Sequence, residues 1–391
     1  MALMGGKARA EKPALVLALA IGALVGMPPG GAETQARSGK TPPGPPYRAL
    51  LLMEAHSGQV LVEDNAHEQR PPASMVKMML MLIVADKVTA GELSWDDPII
   101  ASREAERMGG SQVYLATEET FSLRELMEAV VIASANDASL AVAEAVGGSR
   151  DGFVELMNER ARQLGLRNTV YHSPHGLPPG KDQDSDLSTA HDLALVAREL
   201  LKHPQLMAWS DTAESTFRNG TFKLLNTNHL IRTTPWVNGI KTGYTREAGF
   251  NLTATGERNG MVLIGVVMGA PTKQTCSEEA VRLLNRGFNG FQPHQAVRKG
   301  DVIANDVPVR GGDPRFVRIV AGDDLAVVSP RGAKPRFTLD LVMPGELQAP
   351  LDAAARVGSV VIRQDGREIG QVPALAGDAV EKQRRFWERF F

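Results

Sequence analysis

The chain has 391 residues, 43% of them hydrophobic and 23% charged, with a formal net charge of −2. That is room for two globular domains with sizeable cores, and the near-balance of charge argues against a nucleic-acid binder. A single cysteine, Cys276, excludes an internal disulfide and any cysteine-based metal site, and there is no H-E-x-x-H motif; neither a metal nor another cofactor is expected.

At the N-terminus Lys7, Arg9 and Lys12 precede an apolar run from Ala14 to Met27 and the small residues Gly30-Gly31-Ala32. This is the layout of a secretory signal peptide over residues 1–32. The run is short for a membrane span, which favours cleavage near Ala32 over a retained anchor. Residues 33–46, rich in Pro, Gly, Ser and Thr, read as a linker.

A first domain is expected over residues 47–291. Arg48–Glu54 and Gln59–Glu63 flank His56-Ser57-Gly58 as strand, turn and strand. Ala73-Ser74-Met75-Val76-Lys77 then opens an apolar stretch free of Pro and Gly, which predicts a helix over residues 75–88. Ser74 and Lys77, three apart, share one face of it. Two readings stand: Ser74 caps the helix while Lys77 reaches for solvent, or Ser74 is a nucleophile and a desolvated, neutral Lys77 is its base.

Residues 84–150 read as mostly helical, with Ser122 as N-cap to the apolar segment Leu123–Val131. The polar stretch Ala133-Ser134-Ala135-Asn136-Asp137-Ala138 separates this segment from helical Leu140–Val146. Ser134 and Asp137 either cap a helix–helix turn or lie buried, which demands partners for them. Phe153–Leu164 is helical, and a long Pro/Gly-rich loop, His172–Gly180, leads to Ser188-Thr189 and a helix ending at Leu201. Loops of that size are usually functional or disordered. Val237–Thr245, holding Lys241-Thr242-Gly243, precedes strands Asn251–Glu257 and Met261–Met268. Alone, Lys241 there is a solvated lysine on an edge strand. A helix over Glu278–Asn289 closes the domain. From residue 292 to 375, short apolar runs separated by Gly, Pro and Asp predict a small all-β domain without a catalytic constellation. In Asp378–Phe391 a helical wheel places Val380, Gln383, Phe386, Trp387, Phe390 and Phe391 on one side and Lys382, Arg384, Arg385, Glu388 and Arg389 on the other. This predicts a helix over residues 376–391 lying in a membrane interface.

S-M-V-K at Ser74–Lys77, S-A-N at Ser134–Asn136 and K-T-G at Lys241–Gly243 occur in the order found in penicillin-binding proteins and class A β-lactamases. Over residues 45–391 the chain resembles the low-molecular-mass penicillin-binding proteins of the D-alanyl-D-alanine carboxypeptidase type, serine peptidase family S11. The resemblance implies an α/β (α+β) domain of the serine β-lactamase/transpeptidase kind, then the all-β domain and the amphipathic helix. It implies removal of the terminal D-alanine from peptidoglycan stem pentapeptides through an acyl-enzyme at Ser74, and covalent inhibition by β-lactam antibiotics. It also implies export to the periplasmic face of the inner membrane, whose surface the C-terminal helix would contact.

Under this resemblance Ser74 is the nucleophile, Lys77 its base, Ser134 the relay of a proton to the departing D-alanine, and Lys241 an adjacent positive charge. Asn136 holds the substrate amide, Thr242 bonds the terminal carboxylate, and the strand Thr242-Gly243-Tyr244 lines the substrate. Backbone N–H groups of Ser74 and Tyr244 form the oxyanion hole. Two features depart from the family's pattern. Cys276 stands where an arginine is often found, with Lys273 nearby as a replacement point charge, and Asp184–Thr189 lacks the usual aromatic residue. No E-x-x-L-N follows the second motif, so slow release of bound penicillin is expected rather than lactamase turnover. A DD-endopeptidase and a catalytically impaired peptidoglycan-binding scaffold of the same fold are the alternatives.

Overall fold

A computed structural model describes residues 44–180 and 184–383. The expected signal peptide, most of the linker and the aromatic end of the tail lie outside the described residues. The chain enters through β1 (Ala49–Glu54), which turns at Ser57-Gly58 into β2 (Val60–Asp64). β1 is buried along its whole length because its A-L-L-L-M-E run sends alternate side chains to two cores. Leu51 and Met53 join one core, Leu50 and Leu52 the other.

A short 3-10 turn, Ala73–Val76, leads into α1 (Lys77–Thr89), so the helix expected from residue 75 starts two residues later and leaves Ser74 in the tighter turn. Every residue of α1 from Lys77 to Ala85 is buried, as its uninterrupted Met/Leu content requires. α2 (Leu123–Glu128) starts with a reciprocal capping box between Ser122 and Glu125. It runs through one π turn, Ala129–Ala133, and stops at Ser134 in the left-handed conformation. The chain restarts as α3 (Asn136–Gly147), then α4 (Arg150–Gln163) and α5 (Ala190–Leu200), which complete a helical layer around the first core.

Residues 84–150 are less helical than their composition suggests. Pro98–Ile100 pairs with Thr120–Ser122, and the chain between them is largely irregular. The buried Asp137 carboxylate accepts hydrogen bonds from the backbone N–H groups of Val113 (3.0 Å) and Leu115 (3.1 Å). A side chain thus satisfies backbone donors that a helix would otherwise have to pair.

β3 (Val237–Thr245), β4 (Gly249–Arg258) and β5 (Met261–Ala270) join the first two strands in an antiparallel sheet of order β2-β1-β5-β4-β3. The K-T-G strand is its edge, with Lys241 opposite Thr253 and Gly243 opposite Asn251. α6 (Lys273–Gly290) begins five residues earlier than predicted, under an N-cap from Thr272, and buries Leu283, Leu284 and Phe288 in the second core with Leu50 and Leu52. The fold is therefore mixed α/β, a sheet with helices on both faces.

From Phe291 the chain is β only. Phe291–Val297 pairs with Leu325–Pro330, and six further strands form one sheet over a core of Val309, Ile319, Val360, Ile362 and Ala374. Val380 bridges to Leu351, and Glu381–Lys382 pairs with Gly312–Asp313. A helix therefore does not begin at residue 376 as predicted: backbone pairing with this domain holds the chain extended to Lys382. Residues 384–391, which carry the aromatic cluster, lie outside the described residues. Among the described residues no helix is long and apolar enough to cross a membrane.

Candidate active site

Three loops and the sheet edge converge on Ser74. The residue before it, Ala73, has a positive φ of 51°, a strained backbone for a non-glycine residue. Two close approaches hold that turn. Gly176, in the loop after α4, lies so near that a Cβ there would sit 2.1 Å from Ala73 O, and a Cβ on Gly243 would sit 2.4 Å from Pro72 O. Only glycine lets both the loop and the K-T-G strand reach the nucleophile's backbone.

Lys77 is wholly buried. Its Nζ lies 2.7 Å from Asn136 Oδ1, 2.7 Å from the carbonyl of His175 and 3.1 Å from Ser74 Oγ. A neutral amine has two N–H bonds and one lone pair; the two carbonyl-type acceptors take the N–H bonds and direct the lone pair at the Ser74 hydroxyl. Burial, reinforced by the nearby Lys241 charge, holds the Lys77 pKa well below its ordinary value, against a weaker opposite pull from Asp186 and Asp137. The solvent-seeking reading of Lys77 is excluded by this burial.

Asn136 is fixed at both ends, since Nδ2 donates to Gly109 O (2.7 Å) and its backbone N–H donates to Ser111 O (2.7 Å). Lys241 is buried too, with Nζ 3.3 Å from the Thr242 carbonyl, and burial pulls its pKa down to about 7. Ser134 does not cap a helix with its side chain; it occupies the left-handed break that ends the π turn. Thr242 Oγ1 donates to Thr227 Oγ1 at 2.7 Å. Tyr244 is exposed and stacks on Phe250, ring centroids 4.2 Å apart.

Ser74, Ser134, Thr242, Gly243 and Tyr244 all border one cavity of about 280 Å³, whereas Lys77, Asn136 and Lys241 stand behind its wall. The structure thus gathers the sequence-predicted residues around one cavity: five line it, and Lys77, outside the lining, bonds both Ser74 and Asn136. It also adds residues that no motif announced. Asp186 accepts from the N–H groups of His172 and Ser173 and from Ser173 Oγ, which ties the His172–Gly180 loop in place without the missing aromatic. His175 contributes its carbonyl to Lys77, and burial lowers its own pKa to about 3, so its ring is neutral. Among the described residues no cluster of His, Cys, Asp or Glu is arranged to hold a metal.

A family model described as D-alanyl-D-alanine carboxypeptidase, Peptidase S11, matches residues 41–272. The chain belongs to that family. A second model, the penicillin-binding protein 5 C-terminal domain, matches residues 291–382. The carboxypeptidase is 33% identical over 339 residues to D-alanyl-D-alanine carboxypeptidase DacF of Bacillus subtilis, covering 86% of each chain. It resembles the structure of penicillin-binding protein 5 from Haemophilus influenzae with a TM-score of 0.72 and 31% identity, over 88% of this chain and 100% of that one. It resembles penicillin-binding protein D2 of Listeria monocytogenes in the ampicillin-bound form with a TM-score of 0.57 and 31% identity, over 62% of this chain and 97% of that one. These likenesses make the chain a serine D-Ala-D-Ala carboxypeptidase of the cell wall, built as a Peptidase S11 domain followed by a β domain.

Proposed function

We propose that Ser74 Oγ attacks the carbonyl between the two terminal D-alanines of a peptidoglycan stem peptide as its proton passes to Lys77 Nζ. The C–N bond breaks, and the proton reaches the departing amine through Ser134, with Lys241 supplying the neighbouring positive charge. Water then adds to the ester, the C–Oγ bond breaks, and Ser74 recovers its proton. Backbone N–H groups of Ser74 and Tyr244 hold the oxyanion, each worth about 3 kcal/mol in comparable sites. Asn136 keeps Lys77 aimed and offers its remaining Oδ1 lone pair to the substrate amide. The observation that carries this reading is the buried Lys77 Nζ, which has acceptors for two N–H bonds and one neighbour, Ser74 Oγ, for its lone pair.

The same chemistry accepts the strained amide of a β-lactam. Incubation with a fluorescent penicillin should label the parent chain at Ser74 and leave Ser74→Ala and Lys77→Met unlabelled. Labelling of Ser74→Ala would assign the nucleophile elsewhere. The proposal extends to place: the N-terminal layout directs export, and Arg384, Arg385, Phe386, Trp387, Arg389, Phe390 and Phe391 supply basic and aromatic groups suited to the periplasmic surface of the inner membrane. A chain ending at Gln383 should be recovered in the soluble fraction, and continued sedimentation with membrane would remove the tail from that role.

A further inference from the structure

Asp186 is a buried carboxylate that belongs to none of the three motifs, and the two residues after it are pinned by backbone bridges. Leu187 pairs with Val170. Ser188 pairs with Arg70, whose N–H donates to the Ser188 carbonyl at 2.8 Å and whose carbonyl accepts from the Ser188 N–H at 3.0 Å. Arg70 opens the segment Pro71-Pro72-Ala73 that delivers Ser74. Asp186 is thus anchored to the length of chain that enters the nucleophile's turn.

From this anchor Asp186 holds the loop after α4. One carboxylate oxygen accepts from the N–H groups of His172 (2.6 Å) and Ser173 (2.9 Å), the other from Ser173 Oγ (2.7 Å). With its hydrogen spent there, Ser173 Oγ accepts from the Gly176 N–H at 2.8 Å. His175 and Gly176 are the loop residues that meet the catalytic turn, the first through its carbonyl on Lys77 Nζ, the second by its close approach to Ala73 O. Hydrogen bonds therefore run from Asp186 to the groups that aim the base.

Charge acts in the same direction. Lys241, from β3, disfavours the Lys77 ammonium, Asp186 and Asp137 favour it, and the facing His175 ring is neutral. Asp137, at the start of α3, also serves the backbone N–H groups of Val113, Leu115 and Ala138. Around Asp186 itself stand His172 and the phenol of Tyr171, which burial keeps protonated.

We propose that Asp186 is a positioning residue for Lys77: through Ser173 it sets the loop carbonyl that aims the amine, and its charge steadies the ammonium formed when Ser74 gives up its proton. The inference rests on the reaction proposed above and deepens it. Asp186 touches no reacting atom and acts only through Lys77.

The rate of acylation by a fluorescent penicillin, followed from pH 4 to 9, tests this with Asp186→Asn, Ser173→Ala and Lys77→Met. Asparagine keeps a carbonyl oxygen for the two backbone donors and removes the charge, so neutral Lys77 persists to lower pH. The acidic limb of the profile should move down by about half a pH unit. Ser173→Ala keeps the charge and cuts the link to Gly176, so the plateau rate should fall about tenfold with the limb in place. An acidic limb in Asp186→Asn identical to the parent's, with or without a uniform loss of rate, is what a merely structural tie gives and overturns the role. An unchanged rate in Ser173→Ala overturns it as well. Undiminished labelling of Lys77→Met would instead overturn the reaction, leaving Asp186 no base to aim.

Discussion

Lys241→Met should stabilise the protein while destroying its activity. The Lys241 side chain is buried beside one carbonyl at 3.3 Å, and burial brings its pKa from 10.5 to about 7. Below pH 7 both the folded and the unfolded chain hold the proton, and the folded state carries the full cost of a buried charge. Between about pH 7 and 10.5 the unfolded chain binds more protons than the folded one, so stability rises with pH across that window. At 1.36 kcal/mol per pH unit the interval corresponds to about 5 kcal/mol, and relaxation around the charge brings the expected gain to about 2–5 kcal/mol. Urea unfolding at pH 6 and pH 10.5 measures it: the methionine variant should exceed the parent at pH 6 and match it at pH 10.5, with D-alanine release down at least about 100-fold. A variant less stable than the parent at pH 6, or a gain identical at both values, would refute the assignment of Lys241 as a strained, functional charge.

Two further outcomes follow from the site's geometry. Because Lys77 must be neutral and Lys241 charged, kcat/KM should fall at low pH as Lys77 is protonated and fall again above about pH 7 as Lys241 loses its proton; a flat profile from pH 5 to 10 contradicts that division of roles. Gly176→Ala, which drives a Cβ to 2.1 Å from Ala73 O at a φ of +77°, should displace the nucleophile's turn and cut the rate of penicillin acylation by about 100-fold. Equal acylation rates for variant and parent would show that the turn does not need this contact.

Much of this arrangement is legible in the sequence because it rests on local pattern. The continuous apolar run of β1 and the Met/Leu run of α1 announce burial on all sides, and Ser122 followed by Glu125 announces a helix start. What pattern hides is order imposed from a distance. The irregular chain around Val113 and Leu115 is organised by Asp137, more than twenty positions away, and so composition alone misassigned it to helix. The tail around Val380 has an amphipathic wheel, yet its partner Leu351 comes from another part of the β domain, and pairing decides. The same holds in the site. S-x-x-K, S-x-N and K-T-G are short enough to read directly, whereas the carbonyl of His175 enters through a loop and His229 reaches the cavity from a segment with no motif of its own. Cys276 is the intermediate case: the resemblance puts it where an arginine is often found, whereas its place on the cavity wall and the burial that raises its thiol pKa come only from the fold.

The most direct test of the central claim is release of D-alanine from diacetyl-Lys-D-Ala-D-Ala by the parent chain, with Ser74→Ala and Lys77→Met beside it. The account predicts one D-alanine released per peptide by the parent and none above background by either variant. Release that persists in Ser74→Ala, or in Lys77→Met at an undiminished rate, would contradict it.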